Sequence, residues 1–204
     1  MNSKTNRASK AVAIAGCVAT LFFCGNARAV ITFDDLPQFA VPNGYQGFNW
    51  NNFFAVAGDD PAVNPSGYQA AVVSPHNVAF NGFGNPAIVS DTLFNLNSGY
   101  FTAAWNDNLQ VQVIGRLLGV DVYNNTYVLS ATAPTFIAFN YLGIDEVKFI
   151  SSGGTHHSGY SGGSGEIFAM DNLDISAVPE PSTWYAGIGV SMALLSAFVR
   201  RTRK

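Results

Sequence analysis

From residue 30 to residue 175 no segment carries the apolar spacing of an amphipathic helix. Short runs of β-branched and aromatic residues alternate instead with clusters of Gly, Asn, Pro and Ser. That punctuation predicts strands over residues 30–34, 53–56, 69–73, 77–80, 93–96, 100–105, 110–115, 118–128, 135–141, 145–151 and 166–175. Leu109, Val111 and Val113 alternate with Asn108, Gln110 and Gln112, the period of a strand with one buried face. Many short strands at such spacing predict an all-β chain, an antiparallel β-sandwich, with a jelly roll as the leading topology. The Gly/Ser-rich stretch 151–165 is expected to remain a flexible loop outside the core.

Charge is distributed unevenly. Only 11% of the 204 residues are charged, against about 25% in ordinary domains. Between Val30 and Val178 the basic residues are Arg116 and Lys148 alone, against twelve acids, a net charge of −10. Such a segment repels phosphates, which excludes a nucleic-acid partner.

The two ends read as addresses. Lys4, Arg7 and Lys10 precede an apolar run over residues 11–24, and Ala27-Arg28-Ala29 gives the small-x-small pattern that signal peptidase accepts. Residues 1–29 are therefore expected to be a cleaved signal peptide, residues 30–177 a β-sandwich ectodomain, and residues 178–204 a sorting segment. Both cysteines, Cys17 and Cys24, fall inside the leader, so the mature chain is expected to hold no disulfide and no thiolate ligand. At the other end, Pro179-Glu180-Pro181 begins a stretch that prolines keep out of a helix. The sixteen residues 184–199 that follow are apolar. As a helix they would reach roughly 24 Å, barely enough to span a bilayer. Arg200, Arg201, Arg203 and Lys204 close the chain and should stay cytoplasmic, which orients the preceding domain outward.

This order of motif, span and basic end resembles the PEP-CTERM sorting signal of Gram-negative bacteria, a tail also called an ice-binding protein C-terminal region. The resemblance covers about the last 27 residues. It implies recognition by an exosortase and processing near Pro179, Glu180 and Pro181. The precursor would sit in the inner membrane, and the upstream domain would then reach the cell surface or extracellular matrix. It further implies an association with exopolysaccharide and biofilm.

Within the ectodomain, the opening Ile31-Thr32-Phe33-Asp34-Asp35-Leu36 and the closing Phe168-Ala169-Met170-Asp171-Asn172-Leu173 resemble the first and last strands of galactose-binding-like jelly rolls, an architecture shared by many carbohydrate-binding modules. In those modules the terminal strands lie together. Acids on them hold a structural calcium ion, and Asp34 and Asp171 are the matching positions. Oxygen ligands suit Ca²⁺ and a domain at −10 tolerates it. Alternatively, these acids and Asn172 satisfy backbone donors at strand ends.

Two stretches mix rings with amides, as a glycan site requires: residues 45–53, with Tyr45 and Trp50, and Trp105-Asn106-Asp107-Asn108. Tyr45, Trp50, Trp105, Asn106 and Asp107 are the candidate glycan-binding residues, against a core role for the rings. His156 and His157 are adjacent, but no second pair completes a metal site. No Gly-x-Ser-x-Gly elbow, P-loop or dinucleotide fingerprint occurs, and nothing selects a carboxylate pair for glycoside hydrolysis. The expectation is a non-enzymatic polysaccharide-binding surface or matrix protein. A structural or adhesive matrix component is the alternative, and a secreted glycan hydrolase the third reading.

Overall fold

The computed structural model describes residues 28–178. Its elements are β1 (Arg28–Ile31), β2 (Phe39–Ala40), β3 (Asn49–Asn51), β4 (Phe53–Ala57), α1 (Gly67–Ala71), β5 (Asn77–Asn81), β6 (Ala87–Ala103), β7 (Asn106–Asp107), β8 (Leu109–Leu117), β9 (Val120–Leu129), β10 (Thr135–Ser152), β11 (Thr155–His156) and β12 (Phe168–Ala177). Every strand pair is antiparallel. The main sheet runs β2-β4-β5-β12-β6-β10-β8-β9, with β1 beside β12 and β3 beside β6. The expected signal peptide other than Arg28 and Ala29, and the expected sorting segment beyond Val178, lie outside the described residues.

Three left-handed residues decide how the long strands run. β6 and β10 have 17 and 18 residues. Asn140 (φ 54°) and Gly143 (φ 64°) coincide with register shifts of β10 against β6, and Asn172 (φ 49°) with a shift in β12. Asn and Gly tolerate this conformation, and each bulge bends its strand. The bent sheet wraps one core. Phe53 of β4 therefore meets Phe149 of β10 at 5.9 Å and Phe168 of β12 at 6.2 Å, although none of these strands neighbours another in the sheet. The expected alternation of β8 holds: Leu109, Val111 and Val113 belong to this core. The paired predictions 93–96/100–105 and 135–141/145–151 each prove to be parts of one continuous strand.

A second, smaller cluster forms on the outer face of β12. There Ala169 packs with Tyr68 and Ala71 of α1 and with Val78, Ala104 and Trp105, while its neighbours Phe168 and Met170 face the main core. α1 corrects the expected strand at 69–73. Ser66 caps it by accepting the Tyr68 N–H at 3.2 Å. Gly67 lets it settle on β6: a Cβ there would lie 1.8 Å from the carbonyl oxygen of Ala103.

Candidate functional site

Where β7 turns into β8, Asn108 takes φ 58°, a conformation asparagine tolerates without a glycine. Asp107 and Asn108 here line a cleft of about 430 Å³ with Val128, Leu129, Ser130 and Thr135. The cleft thus gathers the start of β8, the end of β9 and the start of β10. The lining combines hydroxyl, amide and carboxylate side chains with the exposed Val128, a composition suited to a small polar ligand with an apolar face.

The Gly/Ser-rich stretch is not a free loop but is tied down on Asn106 and Asp107, beside this cleft. β11 pairs with β7, setting Thr155 against Asp107 and His156 against Asn106. Asn106 donates from Nδ2 to the Gly153 carbonyl at 3.0 Å. Gly154 sits so close that a Cβ would lie 2.8 Å from the Asp107 carbonyl oxygen. His157 donates from Nδ1 to Asp107 Oδ2 at 2.6 Å, and its ring lies 4.4 Å from Tyr160. Tyr160 in turn donates its hydroxyl to the Ala131 carbonyl at 2.8 Å. His156 is spent on the Tyr160 carbonyl at 2.7 Å. The two histidines therefore serve different partners, and no metal-binding group of His, Cys, Asp and Glu occurs among the described residues.

The candidate rings are placed differently from the amides. Trp50 is 5% exposed, donates its indole N–H to the Tyr45 carbonyl at 2.9 Å, and packs edge-on against Phe33 and Phe53. Tyr45 is half-buried against the same core and donates its hydroxyl to Asp35 at 2.6 Å. Trp105 is 6% exposed, set edge-on to Tyr68, with Gly163 so close that a Cβ would lie 2.4 Å from the ring. Trp50 and Trp105 belong to separate clusters and neither offers a face for stacking, because each ring is covered by its own chain. Of the five candidates, Asp107 alone lines the cleft. Asn108, the last residue of the ring-and-amide run 105–108, lines it as well. Ser130 and Thr135 carried no local signal at all.

Asp34 and Asp171 converge on one segment, residues 73–77, and the terminal strands β1 and β12 are paired beside it. Asp171 is fully buried. Its Oδ2 accepts the N–H groups of Val73 and Ser74, each at 2.7 Å. Its Oδ1 accepts the Asn172 N–H at 2.6 Å and the Ser74 hydroxyl at 3.0 Å. Asp34 Oδ1 accepts the N–H groups of His76 and Asn77 at 2.8 and 3.0 Å. Calcium needs oxygen lone pairs turned toward it, whereas these carboxylates are ringed by donor hydrogens. The residues present do not fit a calcium ion. Both acids match the backbone-donor alternative, whereas the buried Asn172 Oδ1 accepts no hydrogen bond.

The two acids respond oppositely to pH. Burial pushes the Asp171 carboxyl up, outweighing its hydrogen bonds from Ser74, Val73 and Asn172. For Asp34 burial also acts upward, but hydrogen bonds from Asn77, His76, Thr32 and Ser74 together hold it below the usual range. A depressed carboxyl stabilises above its unfolded pKa of about 3.9 and loses that contribution as pH falls through the folded value; a raised one does the reverse. The melting-temperature gap between wild type and Asp34→Ala should therefore be widest near neutrality and close as melts are taken below about pH 3.9. A gap that stays constant down to pH 2 would contradict this.

No protein-family profile and no curated relative matches the chain. Among solved structures it is similar to TmCBM61, a carbohydrate-binding module determined in complex with β-1,4-galactotriose. The identity is 6% and the TM-score 0.33, with 70% of this chain and 100% of that chain covered. A similarity of that size bears on neither ligand nor site.

Proposed function

We propose that this protein is an exported, non-enzymatic surface or matrix component whose jelly-roll type β-sandwich binds polysaccharide in the cleft at Asp107. One observation carries the reading: Asp107, Asn108, Ser130 and Thr135, four residues with hydrogen-bonding side chains, line a cleft of about 430 Å³ beside the exposed Val128. Hydroxyls of a sugar would meet the first four, and its apolar ring face Val128. The burial of Trp50 and Trp105 favours the second reading, a structural or adhesive matrix protein without a discrete site.

Affinity electrophoresis in the exopolysaccharide of the producing cells separates the two. Asn108→Gly removes the amide while glycine keeps the left-handed backbone, and Thr135→Val removes a hydroxyl at constant shape. At about 1 kcal/mol per hydrogen bond the double variant should bind roughly 30-fold more weakly. Equal retardation of wild type and double variant would remove the cleft from the proposal, and shortening of the polymer would point to the hydrolase instead.

The ends complete this reading. Residues 1–29 would direct export through signal peptidase, and residues 178–204 would hold the precursor in the inner membrane for an exosortase acting near Pro179-Glu180-Pro181. Neutral replacements of Arg200, Arg201, Arg203 and Lys204 should lower the processed, surface-delivered fraction, since the positive end fixes orientation. Cell fractionation reads the outcome, and unchanged delivery would argue against a sorting role for that cluster.

A further inference from the structure

The outer strand of the sheet is unguarded. β9 ends the strand order, and beyond β8 no strand pairs with it among the described residues. Edge strands are normally blunted with lysine, proline, short length or a bulge, because their free N–H and C=O groups template pairing with another chain. β9 has ten residues without lysine, arginine, proline or glycine. Its only charge, Asp121, is bound by Arg116 Nε at 2.6 Å. Val122 and Val128 are 47% and 57% exposed. One bulge exists, at the start: Gly115 pairs with Tyr123 and Arg116 with Asp121, so Val122 is the extra residue. From Tyr123 to Leu129 the register with β8 is unbroken.

We propose that this edge pairs antiparallel with β9 of a second copy of the chain, about a two-fold axis at Thr126. One observation favours a second copy as the occupant, and another sets the register. A domain at −10 repels a like domain at most orientations, but the stretch 122–129 and the facing Gln110 and Gln112 carry no charge. The bulge then sets the register, because Thr126 is the midpoint of the straight segment 123–129 and a two-fold pairing that uses the whole segment is centred on it. That register sets Thr126 against Thr126, Asn124 against Val128, Asn125 against Tyr127 and Tyr123 against Leu129. No pair brings like charges together, and β-branched and amide side chains meet across the seam. The proposal stands independently of polysaccharide binding.

The test uses oxidative cross-linking of the full chain with Cys17 and Cys24 replaced by serine. Directly opposed residues in an antiparallel pair have Cα atoms about 4.5–5.5 Å apart, within disulfide reach. Thr126→Cys should therefore yield a covalent dimer. Asn124→Cys should not, since its two copies would lie roughly 13 Å apart along the strands, whereas Asn124→Cys combined with Val128→Cys should. Thr126→Lys should shift the sedimentation equilibrium to monomer with the far-UV circular dichroism unchanged, and should lower the melting temperature only by the contribution of association. Absence of a Thr126→Cys dimer, equal cross-linking of the single Asn124→Cys variant, or an unchanged sedimentation profile for Thr126→Lys would each overturn the proposal.

Discussion

Asp171→Ala is expected to lower the melting temperature by about 6–12 °C, equally in calcium and in chelator. The substitution strips the acceptor from the N–H groups of Val73, Ser74 and Asn172 and from the Ser74 hydroxyl. Hydrogen bonds to a charged acceptor contribute about 1.5–3 kcal/mol each. Water replaces some at the partly exposed loop, and the cost of burying the carboxylate is recovered, leaving a net loss of about 3 kcal/mol. A domain of this size shifts by roughly 2–4 °C per kcal/mol. A calcium ion joining the terminal strands would make a different mark: chelator would lower the wild-type melt and leave the variant unmoved. Calorimetry with and without chelator decides between the two.

Gly67→Ala should be comparably severe. Its Cβ would lie 1.8 Å from the Ala103 carbonyl oxygen, so α1 must lift from β6 or lose the 2.9 Å bond from the Gly67 N–H to the Ala104 carbonyl. Overpacking by one methyl costs up to about 3 kcal/mol, and backbone is a less yielding neighbour than a side chain. Tyr68 sits edge-on to Trp105 at 5.8 Å, so displacement of α1 uncovers the indole. The expected result is a red-shifted tryptophan emission together with a lowered melting temperature. Unchanged emission would mean that the helix accommodates the methyl in place.

How much of this was legible in the sequence varies by element. The alternation of Leu109, Val111 and Val113 is a property of consecutive residues, and it placed β8 correctly. The continuity of β10 depends on bulges at Asn140 and Gly143, which read as chain breaks when only local composition is weighed. α1 looked like a strand because Val72 and Val73 follow it, whereas the fit of Gly67 against Ala103 is a tertiary fact. The site divides in the same way. Asp107 stood out beside Trp105, but Ser130 and Thr135 reach the cleft only through the pairing of β8 with β9 and of β10 with β6. Trp105 invited a stacking role, and its ring is covered because glycines at 162 and 163 let the chain press against it.

The pairing of β1 with β12 has a consequence in time. Val30 is held opposite Asp174, roughly 140 residues later, and Ile31 enters the core beside Leu173 and Ile175. Closing so long a loop is entropically slow, and a topology dominated by distant pairings folds late. The core cannot be sealed until nearly the whole domain has been made available, because β12 also separates β5 from β6. Until then its central slot stands open, with strand edges on both sides exposed to foreign chains. Completion of the fold is thus tied to arrival of the last strand, which makes β12 the step at which an unfinished molecule is most open to a chaperone, a protease or a mispaired neighbour.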